Sequence, residues 1–352
     1  MEERVKISDI AQQSGVSTAT VSLALNNRPG VSEETRLRVL EIAEKLEYPL
    51  KPVSTTAKNN HLTTIGMVVK TNPIPPQANP FYSKIMVGIE DVCRRGGINL
   101  LFATLPVDDN NHPVEVPQML YTDKVDGLLM VGTFMDETIL SISGKRTPPI
   151  VLVDGYSSTD SYDMVISDNF HAAYQAVEFL IQKGHRHIGL AGSDINCYPS
   201  LKERRNGYLR ALKENEITDV YIANFNINKT PGYEEIVFLL KEHPQITALF
   251  CVNDDVASAA IRAVQDQHKR VPEDVSVIGY DNTYVAMHTR PALTTMHVDT
   301  VAMGRAAVHL LSLRIDNPES ARMTMTIHTK LVERDSVSSV QPNPSLKDLS
   351  IP

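Results

Sequence analysis

Three groups of side chains in this 352-residue chain have types and spacings that could do chemistry. The first is a run of small hydroxyls near the N-terminus, Ser17, Thr18, Thr20 and Ser22 around Ala19, in the stretch VSTATVSLALN. Ser and Thr compete for the backbone's own hydrogen bonds and fill helices poorly. A helix that opens with them is offering its outer face as short donors and acceptors. The second group follows apolar runs: Asp154 after PIVLV, Asn253 and Asp254 after ALFCV, Asp281 after VSVIGY. Singly, each could cap the next helix; converging on one crevice, they would hold a polar ligand. The third is Gly184-His185-Arg186-His187, whose two histidines have no third ligand at zinc-like spacing, so it reads as a cationic helix end. The sequence has no GxGxxG after a strand, no GxxxxGK[ST], no HExxH and no GxSxG. No catalytic constellation, metal or cofactor is expected, and the chain does not read as an enzyme.

The elements that must position these groups fall into two parts. In the first fifty residues, Ser8 is the expected cap of a first helix with Ile10 and Ala11 on its buried side, ended by Gly15. Val16 plugs the turn, Ser17 caps a second helix with Val21 and Leu25 on one face, and Ser32 starts a third with the stripe Val39, Leu40, Ala43, Leu46. Helix, tight Gly turn, helix is the helix-turn-helix arrangement, whose second helix enters the major groove of DNA. There the hydroxyls would meet phosphates and bases, and Ala19 a thymine methyl. Charge does not carry this reading. The net charge is −8, and residues 1–60 hold eight Lys/Arg against eight Asp/Glu. From Thr64 onward, the runs TIGMVV, NLLFATL, GLLMVG, PIVLVDG, HIGLAG, ALFCVND and VSVIGYD alternate with stretches of helical length. Continuous apolar strands imply parallel sheets covered on both faces, and about ten strands imply two doubly wound lobes. No apolar run reaches the roughly 20 residues of a membrane span. The N-terminus lacks a signal peptide's apolar stretch, and Cys93, Cys197 and Cys251 form no CxxC pair, so a cytoplasmic protein with reduced thiols is expected.

KISDIAQQSGVSTATVSLALNNRPGVSEETRLRVLEIAEKLEY, Lys6 to Tyr48, resembles the DNA-binding headpiece of the lactose-repressor (LacI/GalR) family. NPFYSKIMVGIE, ERRNGYLRAL, NDDVASAAI, VPEDVSVIGYDN and PALTTMHVD are similar to that family's two-lobed, periplasmic-binding-protein-like core. The resemblance implies a headpiece at 1–49, a hinge at 50–62 and a core at 63–335. Its lobes would be 63–167 plus 299–325, and 168–298 plus 326–335, with a flexible Ser/Pro-rich tail at 336–352. It implies that Thr18 and Ala19 point most directly at bases, that Asn26 closes the helix, and that Ser32 belongs to a phosphate-contacting helix start. Two departures stand out. Leu23 replaces an Arg that could fork onto guanine, and the hinge KPVSTTA carries Ser54, Thr55 and Ala57 where the family places Ala, Arg and the Leu wedged into the minor groove. In the core, the resemblance implies an effector site of Arg204, Asp281, Asn253 and Ser200, with Phe225 as aromatic platform, Phe81 or Tyr82 facing it, and Asp154 reaching from the other lobe. A Pro-rich loop, KTNPIPPQA, is longer than usual beside it. The expected protein is a homodimeric transcription regulator, a repressor on a near-palindromic operator. Its effector would be small and polar, a sugar in the first reading and a nucleoside or purine in the alternative; a soluble sugar-binding protein without DNA function is the remaining rival.

Overall fold

The computed structural model describes residues 6–25, 31–46, 48, 62–71, 79–108, 111–121, 124–134, 136–142, 148–159, 161–194, 198–227, 230 and 232–340. Asn26, Ser54, Thr55, Ala57, most of the hinge and most of the Pro-rich loop lie outside them. The chain folds as two compact units, 1–61 and 62–352.

The first unit is a cluster of three helices, α1 (Ile7–Ser14), α2 (Thr18–Leu25) and α3 (Glu33–Lys45). Ile10, Val21, Ala24, Val39 and Ala43 are buried between them, and Val16, Leu25 and Leu46 pack against this core. Gly15 ends α1 at φ +69°, a left-handed conformation that a side chain would strain, and gives its N–H to the Ala11 carbonyl. The start of α1 differs from expectation: Lys6, not Ser8, is the N-cap residue. The Asp9 carboxylate accepts the Lys6 N–H at 2.8 Å, and the Ser8 hydroxyl turns to Asp9 instead. An anion in the first turn satisfies both the orphan donor and the helix dipole, which a hydroxyl cannot do.

The second unit contains two six-stranded sheets. The first lobe is built from β1 (Thr64–Thr71), α4 (Pro80–Gly96), β2 (Asn99–Pro106), β3 (Gly127–Val131), α5 (Asp136–Ile142), β4 (Ile150–Val153) and β5 (Asp163–Ser167). The chain then enters the second lobe through α6 (Asn169–Gln182), β6 (Ile188–Ala191), α7 (Pro199–Glu214), β7 (Tyr221–Ala223), α8 (Tyr233–Glu242), β8 (Ala248–Cys251), α9 (Asp254–Asp266), β9 (Ser276–Asp281), α10 (Tyr284–His288) and β10 (Thr294–Val298). It returns through α11 (Thr300–Asp316) and β11 (Thr324–Ile327), and crosses once more to β12 (Thr329–Val332). The sheet orders are β11-β5-β4-β3-β1-β2 and β12-β10-β9-β8-β6-β7, parallel throughout except for β12 against β10. The seven apolar runs read from the sequence fold as β1–β4, β6, β8 and β9, and β3, β4, β6 and β8 are buried along their whole length. In each sheet the order reverses beside the strand that starts the lobe, β1 or β6, which opens a crevice at the carboxyl ends of the strands.

Two boundaries shift. β11 runs to Ile327, past the expected lobe boundary at 325. The tail is ordered through Val340 rather than flexible from Ser336. Ser336 is fully buried, its hydroxyl donates to the Val277 carbonyl at 2.5 Å, and the Val340 N–H reaches Lys183 O at 2.9 Å. Ser and Pro content suggested disorder, but the Ser336 hydroxyl fills backbone hydrogen bonds at the starts of β9 and β10, donating to the Val277 carbonyl and accepting the Thr294 N–H.

In the first lobe, α11 is fastened to β5 by a fully buried ion pair. Arg314 Nε and Nη2 meet the two Asp163 oxygens at 2.7 and 2.9 Å. The remaining guanidinium donors go to the carbonyls of Asn317, Pro318, Ser320 and Ala321. Every charge is matched, so the pair is structural. Replacing Arg314 by Met should cost about 3–5 kcal/mol, because it strands a buried carboxylate. The double change Arg314→Met with Asp163→Val should recover much of that loss. Equilibrium denaturation of the two variants checks this, and equal losses in both would count against it.

Candidate functional site

On the headpiece, Ser17, Thr18, Ala19 and Ser22 are exposed along the start of α2 and Thr20 is half-buried. The Ser17 hydroxyl is already used: it accepts the Thr20 N–H at 3.0 Å and pairs with the Thr20 hydroxyl at 2.8 Å, a helix cap. Thr18, Ala19 and Ser22 therefore form the outward face, with Leu23 half-buried beside them. Ser32 repeats the device at the start of α3, its hydroxyl taking the Thr35 N–H at 3.3 Å.

Between the lobes of the core lies a cavity of about 240 Å³. The first lobe lines it with Lys70, Asn79, Phe81, Tyr82, Thr133 and Asp154. The second contributes Tyr198, Ser200, Arg204, Ile227, Asn253, Asp255, Asp281 and Thr283. Seven of the eight effector residues expected from sequence are thus brought together. The eighth, Phe225, does not line the cavity. Its ring is buried in the second lobe's core against Gly232, where an added Cβ would come within 1.9 Å of it. Ile227, two residues on, faces the cavity instead. The expectation of Phe225 as aromatic platform is corrected by this packing.

The centre of the site is a charge pair held apart. Arg204 projects from α7 and is buried; its Nε donates to Asn169 Oδ1 at 2.8 Å, Nη1 to the Val252 carbonyl, and the guanidinium lies 3.6 Å from the Tyr280 ring centroid. Its remaining nitrogen, Nη2, stands 3.5 Å from Asp281 Oδ1, an oxygen that is buried and accepts no hydrogen bond. Asp281 cannot swing closer, because it sits in a left-handed loop, with φ +98° at Asp281 and +57° at Asn282. Asp254 Oδ2 anchors this loop by accepting the Thr283 N–H at 2.6 Å, its Oδ1 takes the Thr295 hydroxyl at 2.6 Å, and Arg334 holds Asn282 Oδ1 at 2.7 Å. Asp254 is thus a builder of the site and not part of its wall. Asn253 caps α9 through Oδ1 to the Val256 N–H, 2.8 Å, which leaves its amide NH₂ open to a ligand. Across the cavity, Tyr82 donates to Asp154 Oδ2 at 3.2 Å. Burial pushes the Asp154 carboxyl up to about 7; the Arg204 charge opposes this and the Asp281 charge adds to it. Burial likewise raises Asp281 to about 6, against the pull of Arg204. Burial, helped by Asp281, raises Asp254 to about 7.

Lys70, Asn79, Thr133, Tyr198, Asp255, Ile227 and Thr283 were not singled out from sequence. Lys70 and Thr133 were findable, since they follow the apolar runs of β1 and β3 just as Asp154 follows that of β4. A lysine or threonine at a strand end simply carries less weight than an aspartate.

A carboxyl whose folded pKa is raised stabilises the fold below its unfolded pKa, near 4, and loses that contribution as pH rises through its folded value. For Asp281 the window runs from about pH 4 to pH 6–7. Asp281→Asn removes the buried charge and should stabilise the chain without added ligand by about 1–3 kcal/mol at pH 7.5 and by almost nothing near pH 4. Melting curves of both proteins across this range test it; a constant offset would show that charge is not the cause.

Comparison with known proteins places the site in context. Residues 6–49 match the family described as bacterial regulatory proteins, lacI family, and residues 177–337 match a periplasmic binding protein-like domain. The HTH-type transcriptional repressor PurR of Aliivibrio salmonicida is 34% identical over 338 residues, 94% of this chain and 98% of its own length. PurR of Mannheimia succiniciproducens is 32% identical over 95% of this chain and 99% of its own. Among solved structures, a transcriptional regulator CelR–cellobiose complex matches with a TM-score of 0.68 at 27% identity, over 95% of this chain and 100% of that one. The lac repressor dimer bound to operator and an anti-inducer matches with a TM-score of 0.65 at 23% identity, over 96% of this chain and 100% of that one, a likeness of fold. No helix among the described residues is long and apolar enough to cross a membrane. A three-helix DNA-binding unit joined to a two-lobed binding core, with full-length relatives of the same build, makes this chain a member of the LacI family, a DNA-binding transcriptional repressor.

Proposed function

We propose that operator affinity in this repressor is set by a small polar ligand held between the lobes, and that the ligand belongs to the purine class. The observation that carries the first part is the open Arg204–Asp281 pair, a donor and an acceptor fixed 3.5 Å apart with a buried oxygen left unbonded. Such groups cost stability in an empty site and recover it when a ligand supplies the missing partner. The purine class is supported by relatives at 32–34% identity bearing the name PurR. A purine also suits the groups: Asp281 and Asp154 would accept ring N–H groups, Arg204 would donate to a ring carbonyl, and Phe81 and Ile227 would flank the faces. The sugar expected first from sequence is the second reading, favoured by the cellobiose-bound regulator and by a wall rich in carboxylates and amides.

The protein would act in the cytoplasm as a homodimer, with two headpieces on a near-palindromic operator. Thr18, Ala19 and Ser22 would meet base edges, and Ser17, Thr20 and Ser32 would hold the helix starts against phosphates. Asn26, Ser54, Thr55 and Ala57 would complete this interface, and with Ala57 in place of a Leu wedge the minor groove would open less.

Selection from a random DNA pool should enrich a palindrome. Titration of that operator with oxopurines, hypoxanthine and urate among them, should then change affinity by about five- to 150-fold for at least one of them. Cellobiose and ribose should leave it unchanged, and a response to these sugars alone would replace the purine reading with the sugar one. Asp281→Ala should abolish the response while keeping operator binding; a retained response would mean that the ligand binds elsewhere. Thr18→Ala should relax discrimination at one operator position by about 1–3 kcal/mol and leave nonspecific affinity nearly intact. An unchanged mismatch profile would remove Thr18 from the base edges.

A further inference from the structure

We infer that the ligand carries a negative charge at neutral pH and that Lys70 is the residue that selects for it. This rests on the cleft being the effector site. Lys70 lies next to the end of β1, half-buried, with its side chain on the cavity. Its ammonium donates to the Thr133 carbonyl at 2.8 Å and the Tyr198 hydroxyl at 2.6 Å, and lies 4.5 Å from the Tyr198 ring centroid. All of these partners are neutral. Among the described residues no carboxylate pairs with Lys70, whereas Arg204, the other cation of the cavity, faces Asp281. An ammonium has three donors and two are used. A cation drawn from water without a counter-ion is costly, and Gln could make the same two hydrogen bonds without that cost. The charge itself therefore needs a use, and the open side of Lys70 is the cavity.

A second group points to the same place. Ser200 is only 6% exposed, lines the cavity, and its hydroxyl makes no hydrogen bond among the described residues. It belongs to the first turn of the 16-residue helix α7, whose N-cap residue is Tyr198, the same tyrosine that Lys70 holds. Among the described residues, the N-cap Tyr198 gives α7 no side-chain cap, while α4 and α9, which also open on the cavity, are capped by Asn79 and Asn253. The first-turn N–H groups of α7 add to Lys70 and Ser200 as donors for an oxyanion. Asp154 and Asp281, with Arg204, form the rest of the wall and suit N–H or O–H donors. A ligand with hydrogen-bond donors at one end and an anionic oxygen at the other satisfies both. Two sources have this chemistry: a phosphomonoester of a small sugar, and an oxopurine that ionises near neutrality.

Calorimetric titration with two pairs, ribose with ribose 5-phosphate and hypoxanthine with urate, compares neutral with anionic probes, and the Lys70 variants separate charge from shape. In the wild-type protein, the anionic member of one pair should bind at least about tenfold tighter than its neutral partner. Which pair shows the preference identifies the source. Lys70→Arg should keep the preference, and Lys70→Gln should remove it while leaving the neutral member within about twofold. The inference fails if the neutral members bind as tightly as the anionic ones, or if Lys70→Gln keeps the preference. It also fails if Lys70→Gln weakens both members equally, which would make Lys70 a latch to Tyr198 and no more. Binding of neutral members alone, lost in Asp281→Ala, would overturn the charge selection but keep the cleft as the site. No binding of any of the four probes would overturn both.

Discussion

The structure turns on an ion pair that is prevented from closing. A guanidinium and a carboxylate free to move would meet in a bidentate pair at about 2.8 Å and become inert. Here each end is fixed by something else. Asn169, the Val252 carbonyl and the Tyr280 ring fix Arg204, and a left-handed loop tied to Asp254 and Arg334 fixes Asp281. The 3.5 Å that remains is too long for a hydrogen bond and too short for bulk water to screen. Such an arrangement is destabilising by itself, and the surrounding sheets must carry it. Four strands buried along their whole length, two in each lobe, supply the apolar burial that makes this tolerable.

The contrast with Arg314 and Asp163 shows how a satisfied ion pair differs from the one proposed to receive a ligand. Both pairs are buried. In the first lobe every donor of Arg314 finds an acceptor within the protein, so nothing is left for a ligand. In the cleft pair, Asp281 Oδ1 is left unbonded. Polar contacts across the cleft include Lys70 to Tyr198 and Tyr156 to Glu203, at 2.6 and 2.8 Å. Contacts of this kind, part-buried and few, contribute on the order of 1 kcal/mol each. On the proposed reading, a ligand contributing a few hydrogen bonds would be enough to reset the balance between lobe arrangements, a coupling of the size a reversible switch requires.

How much of this was legible depends on the range of the interaction. Local signals read well: the turn at Gly15, the cap at Ser17, and seven strands recognised as unbroken apolar runs. β5, β7, β10, β11 and β12 were less visible because they are short or partly exposed, and their strand character comes from the neighbours they pair with. The convergence of Asn253 and Asp281 followed from parallel-sheet topology, since strand ends in one sheet share one edge, and Asp154 meets them from the corresponding edge of the first lobe's sheet. What sequence could not supply was the direction of a side chain at a loop. Phe225 lies in the right segment, but the missing Cβ of Gly232 gives its ring a berth in the core. Ser336 lies in a polar tail, but an unfilled Val277 carbonyl on β9 draws it in. Each outcome depends on a partner remote in sequence or on a backbone angle that no composition encodes.

On the proposed reading, the ligand's identity is a question of charge as much as of shape. Relatives at 32–34% identity establish the family and the architecture, but on that reading a few cavity positions would decide what is bound, and Lys70 and Tyr198 line that cavity. The carboxylates opposite them are poised: with Asp154 near 7 and Asp281 near 6, their charge is not fixed at neutral pH. A ligand that presents N–H or O–H donors to these groups favours their ionised forms and expels protons on binding. An anionic oxygen brought close to them does the reverse and draws protons in. A molecule with both features places its anion at Lys70 and its donors at the aspartates, so that each end meets the charge that suits it. The reversed orientation sets anion against carboxylate and donors against an ammonium, and the fixed Arg204–Asp281 geometry gives it no way to relax. Orientation in the cleft would then follow from electrostatics before shape acts, and the aromatic platform that Phe225 does not provide would not be needed to impose it.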